Sequence, residues 1–361
     1  MRRTSLLSVV MVFVLEACAA PGVRPPAISD ADLLSGKVLE WNAPAAPLPS
    51  KDDAFGLDED MRAFVESVST GDANARVNGL LDGMRDGGLL SLHYADDFTR
   101  TASGTFHDRV GNCLSFTMLF IGMARAAGLD AGYQVVDVPP TWTDDLGLIA
   151  VGNHVNALVL APPDGRFVVD FNDAFFREKY PARVVSDDYA AALYYNNLGA
   201  EALGRRDNES SFALLREAAR IYPDMPAAWV NLGVLYLRLK HLDYAEAAFL
   251  RALETDPREQ SAFSNLESVY TALGNSELAA RYGAQIRHYR EINPYYHFAV
   301  ARAAFNDKRY DDALASLRAA IRLKSDDEEF YSLQGQALAA LGREDRAAES
   351  FARAKEIAAA Q

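Results

Sequence analysis

Hydrophobic positions in the C-terminal half of the chain recur with a period of about 34 residues, a length that accommodates two antiparallel helices. Small residues keep this spacing at Ala245, Ala279, Ala313 and Ala347, and aromatic residues keep it at Tyr195, Trp229 and Phe263. Within each period the apolar positions come three or four residues apart, which is typical of one face of an α-helix. The pattern therefore predicts five helix pairs, in units at 192–225, 226–259, 260–293, 294–327 and 328–361.

Residues 226–259 resemble a tetratricopeptide repeat almost completely. The matching residues are Trp229, Leu232, Gly233, Tyr236, Ala245, Phe249, Ala252 and Pro257. The resemblance implies an all-α solenoid whose concave face, formed mainly by the first helix of each unit, holds an extended peptide or a partner protein. The candidate partner-binding residues are Tyr195, Asn197, Asn231, Arg238, Asn265 and Tyr296. Each of them is also compatible with an ordinary solvated helix face.

This period is absent between about residues 52 and 190, where helical patterns are followed by strand-like runs. Helical spacing at 57–69 and 73–87 predicts two short helices. Residues 111–128 are apolar on nearly every side, which predicts a helix buried at the centre of its domain. Three strand-like runs follow, at 131–138, 153–160 and 166–171. The segment 52–190 is therefore expected to form an α+β domain.

Cys113 stands at the start of the predicted buried helix. The unpaired amides and the helix dipole at that position favour a thiolate, the nucleophilic form of cysteine. A nucleophilic thiol needs a base and a group that orients the base, and His154 and Asp170 on the following strands are candidates for these roles. Asn112 is expected to help hold the backbone at Cys113 and is also a candidate residue of the substrate cleft. Trp142 is a candidate wall of the substrate cleft, or alternatively a hydrophobic plug beneath a loop.

Residues 101–128, together with 153–155 and 168–172, resemble the core of the transglutaminase-like superfamily, a papain-related α+β fold. The shared pattern is G-[ND]-C at the start of a helix ending in R-A-x-G, then one strand with His and one with Asp. The resemblance implies that Cys113 is the nucleophile, His154 the base and Asp170 the orienting residue. It implies thiol-dependent acyl transfer on a protein or peptide amide. We expect hydrolysis over crosslinking, because crosslinking needs a narrow channel that excludes water and the sequence gives no sign of one. We expect no cofactor and no metal.

Two questions stay open at this level. A tight turn at 163–165 would place Asp170 opposite Leu158, too far from His154 to bond, whereas a wider loop would place Asp170 opposite His154. With the tight turn, Asn172 or Asp173 would replace Asp170 as the orienting residue.

The function also has an alternative. Instead of an enzyme, the protein could be a non-catalytic scaffold in which the repeats carry the function and the α+β domain only binds.

Residues 1–17 have the arginines and the short apolar run of a secretory signal peptide. The run ends in Leu15-Glu16-Ala17-Cys18, which resembles a bacterial lipoprotein box except at Glu16. The resemblance implies lipidation of Cys18 and a location in the bacterial cell envelope, at the outer membrane facing the periplasm. Ordinary cleavage that leaves Cys18 as a free thiol is the alternative. Prolines through 18–51 predict a tether without a core, although its apolar residues are expected to pack on the body that follows.

Charge and cysteine content exclude two classes of protein. The 361 residues contain 36 Lys and Arg against 50 Asp and Glu, a net charge of −14. Such a chain lacks the basic field that holds a phosphate backbone, so nucleic-acid binding is not expected. Only two cysteines are present, too few for a disulfide framework. The expected partners are a protein or peptide held by the repeats, and a membrane reached through the lipid.

Overall fold

The computed structural model describes residues 28–41, 47–86, 93–94, 98–138, 141–142, 149–150, 154–162, 165–171 and 180–360. The predicted signal peptide and Cys18 lie outside the described residues. Helices α1 to α6 are Asp30–Ser35, Lys51–Phe55, Glu59–Val68, Ala73–Asp86, Ala102–Asp108 and Cys113–Ala126. Strands β1 to β8 are His93–Tyr94, Val110–Gly111, Asp130–Val136, Thr141–Trp142, Ile149–Ala150, His154–Ala161, Gly165–Val169 and Ala182–Val185.

A four-stranded antiparallel sheet with the order β7-β6-β3-β8 forms the frame of the N-terminal part. Helix α6 packs against β3 and β6. Its residues from Leu114 to Ile121 are all buried, as a helix apolar on every side requires. Gly128, at φ 73°, lies just beyond its C-terminal end, where the left-handed conformation favours glycine. The sheet and α6 together place the first residue of α6 beside the start of β6.

Ten helices follow as five antiparallel pairs. Helices α7 to α16 are Asp187–Gly204, Asn208–Ile221, Pro226–Arg238, Leu242–Thr255, Gln260–Ala272, Ser276–Ile292, Pro294–Asn306, Tyr310–Leu323, Glu328–Ala340 and Glu344–Ala359. From α9 onward the first helices of the pairs begin at a constant interval, at Pro226, Gln260, Pro294 and Glu328. A Cβ on Gly233 would lie 2.5 Å from the ring of Phe249. Glycine at that position therefore lets the two helices of a repeat approach closely.

The first repeat and the α+β part share one hydrophobic core. Along α7 every residue from Tyr189 to Asn196 is buried. Phe55 packs its ring edge-on against Tyr194 of α7, with centroids 5.9 Å apart. The Arg125 guanidinium of α6 donates two hydrogen bonds to the Asp187 carboxylate, at 2.7 and 2.9 Å. Helix α7 is thus a structural element of both parts.

Residues 28–41, within the predicted tether, pack their apolar side chains on the body that follows, as expected. They contain α1 and a short 3-10 helix, and they pack on the first two repeats. Leu33 is buried, and its carbonyl accepts a hydrogen bond of 2.5 Å from the Tyr236 hydroxyl. The Trp41 and Phe212 rings meet edge-on at 5.6 Å. This apolar stretch, which lies between two groups of prolines, buries its side chains on the repeats instead of spanning solvent.

Within the part of the chain that the structure describes, no helix combines the length and the apolar character needed to cross a bilayer.

Candidate functional site

Cys113 is the first residue of α6 and is half-buried. The preceding residue, Asn112, caps the helix: its Oδ1 accepts the Ser115 N–H at 3.0 Å. A Cβ on Gly111 would lie 2.7 Å from the Ser115 Cβ, so a larger residue would push against the first turn of α6. The Gly111-Asn112-Cys113 sequence therefore places the thiol at a capped helix N-terminus, among amides that point toward it.

His154 and Asp170 lie together in the interior, with side chains 3% and 5% exposed. The His154 Nε2 is 2.6 Å from the Asp170 Oδ2. The Cys113 thiol lies close enough to the imidazole to raise its pKa. The structure thus brings Cys113, His154 and Asp170 together in the order thiol, imidazole, carboxylate.

The surroundings of His154 favour its protonated form. Burial lowers the pKa of the imidazole, but the hydrogen bonds to Asp170 and Cys113 and the charges of these groups raise it to about 9. An imidazole in water has a pKa of about 6.5. These contacts therefore favour the imidazolium form of His154, which lies beside a buried carboxylate and a thiol.

The strand register explains how Asp170 reaches His154. Ala157 pairs with Val169 and Ala161 pairs with Gly165 across β6 and β7. Continued by one step, this register sets Asp170 opposite Asn156. Since alternate residues on a strand share a face, His154 and Asn156 both point toward Asp170, and the Asn156 Nδ2 donates to the same Oδ2 at 3.1 Å.

Both predicted registers are therefore wrong. The observed one lies between them, and a diagonal cross-strand contact replaces the direct opposition that the wider loop was expected to provide. Asn156, which sequence reasoning missed, carries a visible signal: it stands two residues after His154 on the same strand. The predicted substitutes Asn172 and Asp173 lie outside the described residues.

A second hydrogen-bonded network holds the N-terminus of α6. The Thr99 Oγ1 accepts from the Asn112 Nδ2 at 2.8 Å, and the Thr99 N–H donates to the Glu201 Oε1 of α7 at 2.7 Å. The next residue, Arg100, donates its N–H to the Ser115 Oγ at 2.8 Å. Residues 98–101 therefore lie between the first repeat and the start of α6. Sequence reasoning missed Glu201, and no local pattern relates it to Thr99.

The two predicted cleft residues have different outcomes. Asn112 is buried and its amide is used within the protein, on Thr99 and Ser115. Asn112 therefore caps α6 and holds the backbone at Cys113, as expected. Trp142 belongs to β4, which lies against α13, and its side chain lies outside the described residues. Among the described residues, no three His, Cys, Asp or Glu side chains are grouped as a metal ion would require.

The predicted partner-binding residues differ in their exposure and in their contacts. Tyr195 is only 3% exposed and donates its hydroxyl to the Pro49 carbonyl at 2.6 Å. Its assignment to an open surface is therefore wrong: the aromatic side chain of the first unit packs inward. Arg238 is exposed and donates to the Leu203 carbonyl. Tyr296 is half-buried, with the Arg290 guanidinium 5.8 Å from its ring centroid.

Three of these residues form a regular series. Asn197, Asn231 and Asn265 each stand one repeat after the last, half-buried on the first helix of their units. The Asn231 Nδ2 donates to the Asn196 Oδ1 at 2.9 Å, and the Asn265 Nδ2 donates to the Ser261 carbonyl at 2.8 Å. We refer to Asn197, Asn231 and Asn265 as the asparagine series. Its amides recur at equivalent positions of three successive repeats.

Comparison with known proteins supports the repeats. Two tetratricopeptide repeat family models match the chain, one over residues 202–269 and the other over 269–328 and 298–361. No curated protein matches the chain. The C-terminal part is thus an array of tetratricopeptide repeats, as predicted, and such repeats generally bind protein or peptide partners.

Solved structures similar to this chain include YrrB, described as a TPR protein with an unusual peptide-binding site. The identity is 20%, over 46% of this chain and 86% of that one, with a TM-score of 0.27. MamA from Desulfovibrio magneticus RS-1 is 19% identical over 49% of this chain and 98% of that one, also with a TM-score of 0.27.

Proposed function

We propose that this protein is a scaffold whose repeats hold a protein or peptide partner. The observation that carries the proposal is the array of helix pairs over 187–359, most of it matched by the tetratricopeptide repeat family. Stacked repeats of this kind present one extended face along the array. The asparagine series is the proposed contact, because a side-chain amide both donates to and accepts from the backbone of an extended peptide.

The test is a binding measurement on the full chain, since α7 belongs to the core shared with the α+β part. Peptides selected from a random library on the wild-type protein are titrated against the variant Asn231→Ala/Asn265→Ala. We expect binding to weaken at least about tenfold, because two hydrogen-bonding side chains are removed from the contact. The control is Gln285→Ala, which removes an exposed amide from a second helix. Equal affinity of wild type and double variant would contradict this placement of the partner.

We propose a second function for the α+β part, thiol-dependent acyl transfer within a transglutaminase-like domain. What supports it is the His154 imidazole, which hydrogen bonds to the Asp170 carboxylate and lies close enough to the Cys113 thiol for the thiol to raise its pKa. Asp170 fixes the ring and favours the imidazolium, which lies beside the Cys113 sulfur. This arrangement meets the requirements of an activated nucleophile.

In the proposed reaction the Cys113 sulfur attacks the carbonyl carbon of an amide, and the backbone amide of Cys113 stabilises the resulting oxyanion. The His154 imidazolium then donates its proton to the leaving amine as the carbon–nitrogen bond breaks, which leaves a thioester. Water attacks the thioester while the neutral imidazole accepts a proton from that water. The products are an amine and a carboxylic acid, and the thiolate–imidazolium pair is restored.

The first test is the alkylation of Cys113 by iodoacetamide at pH 7, in a Cys18→Ser background that leaves one cysteine. We expect His154→Gln to slow the reaction at least about tenfold, because the thiolate loses its imidazolium partner. His107→Gln is the matched control, since His107 pairs with Asp58 away from Cys113. Cys113→Ala should not label. Equal rates for wild type and His154→Gln would show that His154 does not activate the Cys113 thiol, and would contradict the proposed acyl-transfer function.

The second test looks for the reaction itself. Peptide amides incubated with the wild-type protein should give a thioester on Cys113 that mass spectrometry detects after acid quenching, and Asp170→Ala should form it more slowly. If peptides bind and no thioester appears while Cys113 alkylates normally, the scaffold function stands without catalysis.

We further propose that Cys18 carries a lipid and anchors the protein in the cell envelope. The sequence of the signal peptide and the lipoprotein-like box supports this. Mass spectrometry of the protein purified from membranes should find an N-terminal peptide that begins at Cys18 and carries the mass of acyl chains. A free Cys18 thiol on the purified protein would contradict the proposal.

A further inference from the structure

One residue of the repeats reaches the segment that covers the start of α6. Glu201 lies on α7, in the first repeat, and its Oε1 accepts the backbone N–H of Thr99 at 2.7 Å. The two residues are 102 positions apart in the sequence. Thr99 is 5% exposed, so water has little access to replace this acceptor. A buried N–H that loses its acceptor is unfavourable, which makes the position of Thr99 depend on Glu201.

Thr99 in turn holds the helix cap in front of the thiol. Its Oγ1 accepts from the Asn112 Nδ2 at 2.8 Å, and the Asn112 Oδ1 accepts from the N–H and the hydroxyl of Ser115, both at 3.0 Å. Thr99, Asn112 and Ser115 are all buried. An N-cap side chain determines how the first-turn amides are directed. Cys113 is the residue next to this cap and lies in that first turn.

We infer that Glu201 is a positioning residue that sets the reactivity of Cys113 from within the repeat array. The inference rests on the thiol chemistry proposed above and extends it to a residue outside the α+β part. Glu201 holds Thr99, Thr99 holds Asn112, and Asn112 directs the amides around the thiol.

A different role for Glu201 is an ion pair with Arg205, one turn further along α7. The two side chains are 3.9 Å apart, and that of Arg205 is 65% exposed. An exposed pair of this kind contributes little. Arg205→Gln therefore serves as the control, because it removes the ion pair and leaves the Thr99 N–H bonded to Glu201.

The test measures the second-order rate of Cys113 alkylation by iodoacetamide in the full chain carrying Cys18→Ser. Glu201→Met has nearly the shape of glutamate but accepts no strong hydrogen bond, and we expect it to slow alkylation about fivefold, as for a lost cap interaction. Glu201→Gln keeps a carbonyl acceptor and should stay within about twofold of wild type. Arg205→Gln should react at the wild-type rate. Thr99→Val, which removes only the Oγ1 acceptor, should slow the reaction as Glu201→Met does.

Hydrogen exchange at the Thr99 amide is the second readout, and it does not depend on catalysis. The amide should be protected in wild type and in Glu201→Gln, and should exchange at least about tenfold faster in Glu201→Met. Wild-type alkylation and protection in Glu201→Met would overturn the inference. Equal slowing in Glu201→Gln and Glu201→Met would also overturn the inference, since Glu201→Gln keeps an acceptor for the Thr99 N–H and Glu201→Met does not. Failure of the acyl-transfer proposal is recognised separately, by a wild-type rate in His154→Gln.

Discussion

The His154 Nε2 and the Asp170 Oδ2 lie 2.6 Å apart, although these residues are not partners across the sheet. Asp170 follows β7 in register with Asn156, and its Oδ2 accepts from both the imidazole and the Asn156 amide. The side chains of His154 and Asp170 are both buried. A carboxylate held by two donors in the interior has little freedom, so the imidazole that it binds is also fixed in orientation.

The pKa of His154 should depend on Asp170. We expect Asp170→Asn to lower this pKa from about 9 to about 6.5 or below, because the carboxylate charge is lost while burial still disfavours the imidazolium. NMR titration of the imidazole protons measures the midpoint, with His154→Gln to assign the signal. Asp58→Asn removes the carboxylate beside His107 and should leave the His154 midpoint unchanged. A His154 midpoint near 9 in Asp170→Asn would show that Asp170 does not cause the raised pKa of His154.

The same pKa predicts how stability varies with pH. The folded-state pKa of about 9 lies above the value of about 6.5 expected for the unfolded chain. Protonation of His154 therefore favours the folded state. Its contribution, about 3 kcal/mol from the size of the shift, is full below pH 6.5 and is lost as the pH rises through 9.

Thermal unfolding of wild type and Asp170→Asn between pH 6 and pH 10 checks this. We expect the advantage of the wild type to be largest near pH 6 and to narrow as the pH approaches 9. Apart from residue 170, both proteins carry the same titratable groups, and the contributions of those groups cancel in the difference. An advantage that is constant across this range would mean that His154 does not titrate as expected.

The repeats were predictable because each helix pair repeats the same contacts, and the residues that make them, such as Gly233 and Phe249, therefore recur in the sequence. Cys113, His154 and Asp170 were identifiable from a helix start and two strand ends. The register between β6 and β7 was not, because a turn rich in proline permits several loop lengths and only the pairing of Ala157 with Val169 distinguishes them.

Long-range packing accounts for the other features of the structure that could not be predicted from the sequence. Thr99 and Glu201 belong to different parts of the chain, and their hydrogen bond exists only because α7 packs beside residues 98–101. Residues 28–41 showed an apolar pattern, but the surface that covers them is made by helices α8 to α10, far along the chain. A local pattern indicates that a side chain will be buried, and does not indicate which partner will bury it.

Gly111 should be irreplaceable by alanine. A Cβ at this position would lie 2.7 Å from the Ser115 Cβ, so the first turn of α6 would have to shift. We expect Gly111→Ala to lower the free energy of unfolding by about 1–3 kcal/mol and to slow the alkylation of Cys113. The control is Gly132→Ala on β3, where a Cβ would meet no atom within 4 Å. Thermal unfolding and alkylation rates measure the two effects, and equal behaviour of the two variants would contradict the steric argument.

Leu33 should anchor residues 28–41 to the repeats. Its side chain is 1% exposed, and its carbonyl accepts from the Tyr236 hydroxyl. We expect Leu33→Ala to lower the free energy of unfolding by about 2–5 kcal/mol, through lost burial and the cavity left behind. Limited proteolysis should then cut within 28–41 much faster than in wild type, because this segment leaves the repeats before the repeats unfold.

Leu273→Ala is the matched control, since this leucine is 49% exposed and its truncation should change stability by less than about 0.5 kcal/mol. Tyr236→Phe separates the hydrogen bond from the packing, because it removes only the hydroxyl that binds Leu33. We expect a loss of about 1–3 kcal/mol, since the buried Leu33 carbonyl is left without its donor. If wild type, Leu33→Ala and Tyr236→Phe melt at the same temperature and are cut within 28–41 equally fast, residues 28–41 are not held on the repeats in solution.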